Sequence, residues 1–398
     1  MFSWKGREFD VLVIGAGFSG AVMAERFASQ KGYRVLVLEK RAHIGGNCYD
    51  KLDENGIRIH QYGPHLFHTS HEDVWSYLNK FTEWHPYEHQ VLGFIDGKLA
   101  PVPFNLNSID AFFPESHAKE LTKRLLERYE FGAKIPILEL LRTDDLELKK
   151  LSEFIYNKLF VNYTCKQWGC NPDEISPEVT ARVPVVISRD NRYFHDKYQA
   201  VPANGYTGLV ENILAHKNIK VDNSVDAKNL LTLKFSEDTI IFDGKPFNDP
   251  VIYTGMLDEL FDFTLGELPY RSLKFKFEHH SREKFQPTTT VNYPNDEAFT
   301  RITEFKHIMP EEQTKLSVGS TIVKEYPQDY NRENPSKNIP YYPIFNDENE
   351  LLHKKYLKKL KKYKNLTLVG RLAQYKYFNM DDAIKNSLDT FNILKERL

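Results

Sequence analysis

The feature that most constrains the fold of this chain is a glycine-rich turn between an apolar strand and a helix. The apolar run Asp10 to Ile14 leads into the sequence GAGFSG, which spans Gly15 to Gly20. Glycines at this spacing permit a tight turn, a close approach of the backbone to a pyrophosphate, and close packing of the following helix. A second predicted strand, Arg34 to Leu38, is followed by Glu39, placed to accept hydrogen bonds from ribose hydroxyls. This order predicts a Rossmann-like dinucleotide-binding fold.

The sequence Gly45-Gly46-Asn47 favours FAD over NAD as the dinucleotide, because bare backbone after the acidic residue can approach the flavin-side phosphate and ribitol. Two distant segments fit the same fold, the predicted strand ending at Thr254-Gly255 and the one ending at Gly370-Arg371. The chain is in this respect similar to the glutathione-reductase-like FAD proteins. The predicted cofactor-binding residues are Gly15, Gly17, Phe18, Ser19, Gly20, Glu39, Lys40, Gly45, Gly46, Asn47, His65, Val221, Thr254, Gly255, Gly370, Arg371 and Met380.

Composition excludes several classes of function. The chain has 398 residues, a formal net charge of −2 and three cysteines, which form no even framework for disulfides. Near-neutral charge argues against nucleic acid as the main partner. Neither a charged-then-apolar leader nor an apolar run near twenty residues is present, so we expect a cytoplasmic protein with no integral membrane segment.

Two local patterns admit a functional and a structural interpretation. Cys165 and Cys170 suggest a metal or redox site, but no second pair or nearby histidine completes a ligand set, so we predict no metal centre. The basic run Lys354 to Lys364 alternates with apolar residues at helical spacing. We interpret it as a solvated helix surface in preference to a membrane-surface anchor.

The remaining pattern predicts an α/β fold with two insertions. Asp96-Gly97 joins two alternating segments in a predicted hairpin, Gln90 to Ile95 and Lys98 to Pro103. Apolar residues at three- and four-residue spacing predict helices from 107 to 160, and alternating segments from Tyr270 to Glu325, the last of them Leu316 to Val323, predict an antiparallel sheet. The expected domains are a discontinuous FAD-binding domain (1–88, 200–268 and 340–398), a helical substrate and lid domain (107–185), and an antiparallel sheet domain (89–106, 186–199 and 269–339).

Six segments, in order along the whole chain, resemble the flavin-dependent UDP-galactopyranose mutases. They are YGPHLFHT (62–69), NYTCKQWG (162–169) with Arg182-Val183-Pro184, YQAVPANGYT (198–207), TRITE (300–304), IPYYP (339–343) and GRLAQYKYFNMD (370–381). The resemblance implies interconversion of UDP-galactopyranose and UDP-galactofuranose for cell-surface galactofuranose glycans. It further implies that FAD must be reduced, because N5 of the flavin attacks the anomeric carbon as UDP departs.

The resemblance also assigns roles to individual residues. Arg182 and Arg301 fall where the family places its diphosphate-binding arginines, and His65 falls beside the flavin, so these three are the catalytic candidates. Planar guanidinium groups suit a diphosphate leaving group whose negative charge grows as the glycosidic bond breaks. The implied substrate-binding residues are Phe160, Tyr163, Trp168, Tyr193, Asn292, Tyr342, Tyr377 and Asn105. One departure is Asn379, where many relatives carry an aspartate.

Several alternatives stay open from the sequence. The sugar could be galactose, N-acetylgalactosamine or a deoxy sugar, which differ by one substituent. An amine-oxidase-like flavoenzyme and a non-catalytic binding module share the nucleotide fold. The motifs around His65 and Trp168 argue against the oxidase, and the intact FAD motif argues against the binding module. The resemblance implies a homodimer that receives electrons from NAD(P)H or a reductase.

Overall fold

The computed structural model describes residues 4–6, 8–168, 184–334 and 338–397, with the backbone alone described for 167 and 168. Within those ranges the α-helices are Phe18–Lys31, Glu72–Leu78, Leu106–Phe112, Glu115–Arg128, Ile137–Leu140, Leu146–Ile155, Asn162–Trp168, Gly205–Leu214, Leu257–Leu260, Glu311–Leu316, Asp347–Leu360 and Met380–Lys395. A π-helical segment spans Tyr156–Val161, and 3-10 turns lie at Gly46–Cys48, Ala227–Asn229 and Phe305–Ile308.

A five-stranded parallel sheet forms the centre of the nucleotide-binding fold. Its strands, in spatial order, are Ile219–Asn223, Val35–Glu39, Val11–Ile14, Val251–Tyr253 and Leu366–Leu368. The helices Phe18–Lys31 and Met380–Lys395 bury apolar side chains against one face of this sheet, and a second apolar cluster covers the other face. Burial on both faces explains why the inner strands Val11–Ile14, Val35–Glu39 and Val251–Tyr253 are mainly apolar, whereas the edge strand Ile219–Asn223 is mixed. The predicted Rossmann-like fold is confirmed.

A seven-stranded sheet forms the second layer of the molecule. Its strands, in spatial order, are Tyr342–Pro343, Tyr270–His280, Ser320–Asp329, Arg301–Glu304, Thr290–Asn292, Val91–Ile95 and Lys98–Val102. All neighbours are antiparallel except Thr290–Asn292 and Val91–Ile95, which run parallel. The predicted hairpin is confirmed, with Asp96 and Gly97 both at positive φ as a two-residue hairpin turn requires.

The last strand predicted for this sheet, Leu316 to Val323, was wrong at its start. The strand begins at Ser320, and the preceding helix Glu311–Leu316 ends where the strand was expected to begin. Leu316 is 85% exposed and Val318 67% exposed, so neither gains the burial that holds a strand in a sheet. The predicted strand started too early because Leu316 and Val318 are hydrophobic although they are exposed.

The remaining strands of the described residues form four short sheets. Their strands are Lys134–Ile135 with Val185–Val186; Phe67–Thr69, Tyr198–Pro202 and Trp84–Pro86; Leu231–Lys234, Thr239–Phe242 and Lys245–Phe247; and Asp50–Leu52 with Arg58–His60. The sheet containing Tyr198–Pro202 orders the loop around His65, because Phe67–Thr69 pairs with it.

The predicted helical insertion is confirmed as a compact lobe with its own apolar core. Leu121 and Leu125 of one helix meet Leu148 and Leu151 of another in that core. The basic run predicted as a solvated helix surface falls mostly on the helix Asp347–Leu360, which buries Tyr356. Among the described residues, no helix is long and apolar enough to cross a membrane. The proposed domain boundaries stay a prediction.

Glu304 stabilises one end of the seven-stranded sheet by accepting several buried hydrogen bonds. This buried carboxylate accepts hydrogen bonds from the backbone N–H groups of Phe285 (2.8 Å) and Gln286 (2.9 Å) and from the Ser320 hydroxyl, and it contacts His307. Burial raises the pKa of Glu304, but hydrogen bonds from His307, Ser320 and the backbone outweigh it and leave the pKa lowered. We expect Glu304→Ala to lower the free energy of unfolding by about 3 kcal/mol, because several buried donors lose their acceptor.

Urea denaturation at pH 7 measures this effect. Glu311→Ala is the control, because Glu311 is exposed and, among the described residues, forms an ion pair with Lys315 alone, on the same helix. A loss at Glu304 no larger than that of the control would contradict the anchoring role. Since the pKa of Glu304 is lowered on folding, its contribution is present above the unfolded pKa and declines as the pH falls through the folded value.

Candidate functional site

A long cleft opens at the carboxyl ends of the central parallel strands, where open α/β sheets bind their ligands. It encloses about 1700 Å³ of empty space, part of it open to solvent. Sixteen of the seventeen predicted cofactor-binding residues line it: Gly15, Gly17, Phe18, Ser19, Gly20, Glu39, Lys40, Gly45, Gly46, Asn47, His65, Thr254, Gly255, Gly370, Arg371 and Met380. The structure therefore gathers residues from both ends of the chain around one elongated space.

The glycines of the cleft are required by close backbone contacts. A Cβ on Gly20 would lie 1.9 Å from the carbonyl oxygen of Gly15, and Gly15 itself has a φ of +101°. A Cβ on Gly46 would approach the Cα of Gly17 to 3.0 Å, so the two glycine-rich segments face each other across bare backbone. This arrangement leaves the N-terminus of the helix Phe18–Lys31 accessible to an anionic group.

Glu39 is held rigidly at the rim of the cleft. Its Oε2 accepts a hydrogen bond from the Ala16 N–H (2.8 Å), and its Oε1 accepts one from the Arg41 N–H (2.9 Å). Each carboxylate oxygen has a second lone pair that can accept from a ribose hydroxyl. The geometry thus fits the role predicted for this residue, which remains a proposal.

Val221 is the one predicted cofactor residue that does not line the cleft. It lies within the strand Ile219–Asn223, opposite Val37, and contacts the apolar cluster on one face of the parallel sheet. The cleft is lined instead by Val225, whose backbone N–H donates to the carbonyl oxygen of Glu39 (3.0 Å). The residues just after this strand line the cleft, whereas Val221 within the strand packs against the apolar cluster.

Arg41 and Tyr341 line the cleft but were missed by sequence reasoning. Arg41 donates from Nη2 to Asn47 (2.8 Å), while its Nη1 and the hydroxyl of Tyr341 are buried with no hydrogen-bond partner among the described residues. Buried polar groups are normally paired, so these two atoms indicate that a polar ligand belongs in the cleft. The position of Arg41, two residues after Glu39, was the available sequence signal.

A second group of predicted residues surrounds Arg301, beside the cleft. Asn292, Arg301 and Glu325 lie directly opposite one another on three adjacent strands of the seven-stranded sheet. The Nε of Arg301 donates to Glu325 (2.7 Å). Burial lowers the pKa of Arg301, but the negative charge of Glu325 outweighs it, so the pKa is raised well above its ordinary value. Arg301 is therefore a permanent cation.

Three buried tyrosines lie near enough to this arginine for its charge to act on them. Burial raises the pKa values of Tyr163, Tyr193 and Tyr342, and the positive charge of Arg301 partly opposes the rise in each. Their hydroxyls therefore stay protonated at neutral pH and can donate hydrogen bonds to an anion. We name the group formed by Arg301, Tyr163, Tyr193 and Tyr342 the anion pocket.

Arg371 connects the anion pocket to the cleft. It lines the cleft, and its guanidinium carbon lies 5.2 Å from the ring centre of Tyr342 and 5.5 Å from that of Tyr377. The two tyrosine rings are themselves stacked at 5.8 Å. Arg371 is fixed by hydrogen bonds to the carbonyl oxygens of Tyr341 and Phe378. A ligand in the cleft and a ligand in the anion pocket would thus be neighbours.

His65 lies at the same junction. Burial, together with the charges of His60, Arg371 and Arg301, lowers the pKa of His65 to about 3. Its Nδ1 lies 2.8 Å from the carbonyl oxygen of Gly63, so a neutral ring carries its proton there and leaves Nε2 as an acceptor. The ring could support a cofactor by hydrogen bonding, and this role of His65 stays a prediction.

Two predicted substrate residues have contacts that help to build the helical lobe. Asn105 caps the helix Leu106–Phe112 by accepting from Asn107 and Ser108, and its amide donates to Asp190 and Asn191. Phe160 is buried in the apolar core of the helical lobe. Neither residue lines the cleft, and the substrate role that the resemblance implies for each stays a prediction.

The remaining predicted residues are placed as follows. The side-chain oxygen of Asn292 is buried without a hydrogen-bond donor among the described residues, beside Arg301. Arg182 and the side chain of Trp168 lie outside the described residues. Asn379 lines the cleft and begins the helix Met380–Lys395, where its backbone N–H lies 3.4 Å from Asp382.

Buried neutral histidines predict a specific pH dependence of stability. Burial lowers the pKa of His60 to about 4 and of His89 to about 3, both below the ordinary value near 6.5. Unfolded chains bind these protons first as the pH falls, so stability is full above about pH 6.5 and declines below it. We expect a loss of roughly 2 kcal/mol per histidine between pH 7 and pH 5, measured by urea denaturation.

His89→Gln tests this account, because it removes one titrating group while keeping a polar side chain. The loss between pH 7 and pH 5 should shrink by about one histidine's share, whereas His117→Gln, at a half-exposed histidine paired with Glu147, should leave it unchanged. Equal pH dependence in His89→Gln and the unmodified protein would contradict the account.

Comparisons with known proteins agree with this geometry. A family model described as UDP-galactopyranose mutase matches residues 158–377, and one described as NAD(P)-binding Rossmann-like domain matches residues 13–81. A UDP-galactopyranose mutase of Mycoplasma genitalium is 37% identical over 384 residues, covering 96% of this chain and 93% of that protein. A dTDP-fucopyranose mutase of Escherichia coli is 34% identical over 386 residues, covering 95% of this chain and 96% of that protein.

The fold also resembles solved structures. A crystal structure of reduced UDP-galactopyranose mutase aligns with a TM-score of 0.70 at 18% identity, covering 98% of this chain and 95% of that one. A putrescine oxidase structure aligns over 98% of this chain and 99% of that one, with a TM-score of 0.55 at 12% identity. These structural likenesses establish the shared fold.

Proposed function

This chain belongs to the UDP-galactopyranose mutase family, and from that premise we propose that it interconverts UDP-galactopyranose and UDP-galactofuranose with FAD bound in the cleft. It is an isomerase and a flavoprotein of Rossmann-like fold. The observation that supports this proposal is the junction at Arg371 and His65. There a cleft that fits a dinucleotide adjoins the anion pocket around Arg301.

The residues of the cleft fit FAD in particular. Gly17 and Gly46 present bare backbone where a pyrophosphate would pass, and Glu39 is fixed for the adenosine ribose. The unpartnered Nη1 of Arg41 and hydroxyl of Tyr341 are positioned to bond a polar ligand. When bound and reduced, FAD would supply the nucleophilic nitrogen N5 that attacks the anomeric carbon of the sugar.

The anion pocket supplies what the departing nucleotide requires. The diphosphate gains negative charge as the glycosidic bond breaks, and a preorganised cation with hydroxyl donors stabilises that charge more than it stabilises the bound substrate. Arg301 provides the cation, and Tyr163, Tyr193 and Tyr342 provide protonated hydroxyls. We assign Arg182, from the resemblance alone, as the second cation.

The dTDP-fucopyranose mutase relative supports one alternative, a mutase for a deoxy sugar on a thymidine nucleotide. Fold likeness to putrescine oxidase would also fit an oxidase, but the similarity to the UDP-galactopyranose mutase structure is greater (TM-score 0.70 against 0.55). The relatives of Mycoplasma genitalium and Escherichia coli, which match most of the chain at 34–37% identity, are named as mutases. We further propose a homodimer in the cytoplasm that receives electrons from NAD(P)H or a reductase and serves cell-surface galactofuranose glycans.

A single assay separates these functions. Dithionite-reduced and oxidised protein are each incubated with UDP-galactofuranose and, separately, with dTDP-fucofuranose, and the products are resolved by chromatography. We expect UDP-galactopyranose to form from UDP-galactofuranose with the reduced protein alone. Faster conversion of dTDP-fucofuranose would replace the proposed substrate, and consumption of oxygen with substrate would indicate an oxidase.

A further inference from the structure

Glu325 lies at the one described contact that restrains the Arg301 guanidinium. The carboxylate is 1% exposed, whereas the Arg301 side chain is 28% exposed. The hydrogen bond joins Glu325 Oε1 to Nε of the arginine, and neither Nη group of Arg301 bonds to a described residue. An arginine held by Nε presents its two Nη groups away from the carboxylate, as a fork for a second anion.

We propose that Glu325 is a positioning residue that holds the Arg301 guanidinium by Nε, so that both Nη groups face the diphosphate of the nucleotide sugar. This inference rests on the proposed function, since it takes the ligand of the anion pocket to be a nucleoside diphosphate. Glu325 itself touches neither substrate nor cofactor and acts through Arg301.

Glu325 is itself held in place by strand pairing within the seven-stranded sheet. Glu325 is paired with Arg301 on one side and with Phe275 on the other, in the middle of the strand Ser320–Asp329. Its carbonyl oxygen accepts from the Thr300 N–H (2.9 Å), the residue before Arg301. The donor and its acceptor therefore belong to one rigid cross-strand unit, which is how a functional side chain is preorganised.

The geometry of the ion pair between Arg301 and Glu325 differs from the bidentate geometry that a purely structural pair often adopts. Bidentate pairing through two nitrogens is the frequent geometry of arginine with a carboxylate, and it would consume an Nη group here. The observed single bond at Nε leaves both Nη groups available. The charge of Arg301 acts to lower the pKa values of Tyr163, Tyr342 and His89, so these three side chains lie near the cation.

Binding of UDP to the oxidised holoenzyme, measured by isothermal titration calorimetry, tests the proposal without relying on turnover. Glu325→Ala should weaken UDP binding by at least about tenfold, because the guanidinium loses its orientation. Glu325→Asp should show a similar loss, because its shorter side chain keeps the charge but falls short of Nε. Glu325→Gln keeps an acceptor oxygen at the same reach and should restore affinity to within about threefold of the unmodified protein.

A double-mutant cycle separates positioning from a general effect on the fold. In the Arg301→Ala background, Glu325→Ala should cause no further loss of UDP affinity, because the group through which it acts is gone. Glu278→Gln is the matched control, since Glu278 pairs with Lys324, the residue next to Glu325 on the same strand, and should bind UDP normally. If Glu325→Ala does not fold, Glu325→Asp carries the same test.

The outcomes are distinct. UDP affinity within twofold of normal in Glu325→Asp, or an equal further loss in the Arg301→Ala background, would overturn the positioning role. A loss in Glu325→Gln as large as that in Glu325→Asp would also overturn it, because orientation would then not be the cause. If the unmodified holoenzyme binds no UDP, the proposed function itself fails, and the failure is not specific to Glu325.

Discussion

Arg301→Ala is expected to lower kcat by about 100-fold or more while leaving the protein folded. Removing one preorganised charge that stabilises a transition state typically costs this much. Arg301 is the described cation at the centre of the anion pocket, and Glu325 holds it in place. The rate of UDP-galactofuranose conversion by reduced enzyme measures the loss, and far-UV circular dichroism with bound flavin content reports whether the fold is intact.

Lys324→Ala provides the control for Arg301→Ala. Lys324 lies on the same sheet, opposite Ile302, the residue after Arg301, and forms its ion pair with Glu278. Its loss should leave kcat within about twofold, because a partly exposed pair contributes little. Near-normal turnover in Arg301→Ala would refute the role of this arginine. The resemblance predicts a comparable loss for Arg182→Ala.

Gly20→Ala is expected to weaken the binding of FAD strongly. A Cβ at this position would lie 1.9 Å from the Gly15 carbonyl oxygen and 3.0 Å from its carbon, both backbone atoms, so the turn must move. Strain of about 3 kcal/mol at the turn would weaken binding by at least about 100-fold. The ratio of flavin absorbance to protein absorbance after purification measures the effect.

Gly208→Ala is the matched control, because Gly208 also lies within a helix, and its added Cβ would make only ordinary contact, 3.6 Å from Asn204. We expect this variant to retain its flavin. Full flavin content in Gly20→Ala would show that the turn does not approach the cofactor as the geometry implies.

The nucleotide-binding half was predictable because its signals are local. Gly20 is forced by a contact five residues away, and Glu39 follows its strand directly, so spacing along the chain carries the information. The same holds for the Asp96-Gly97 hairpin, whose two positive φ values are a property of those two residues. Local backbone requirements leave a signature that a single sequence displays.

The anion pocket was predictable only in part, because its contacts are set by strand register. Arg301 and the tyrosines were identified by resemblance, but Glu325 was not, since nothing near it in the sequence marks it as the partner of Arg301. The structure shows Asn105 capping a helix through Ser108, and the substrate role that the resemblance gives Asn105 stays a prediction. The strand predicted to start at Leu316 was wrong at that end, because hydrophobicity alone does not reveal whether a side chain is buried.

The central claim, that the reduced flavin bonds directly to the sugar, has one most direct test. Reduced enzyme is mixed with UDP-galactopyranose, quenched with sodium cyanoborohydride, and the extracted FAD is analysed by mass spectrometry. The account predicts FAD carrying the added mass of one hexose-derived unit, absent when oxidised enzyme is used. Recovery of unmodified FAD from an enzyme that is converting its substrate would contradict the account.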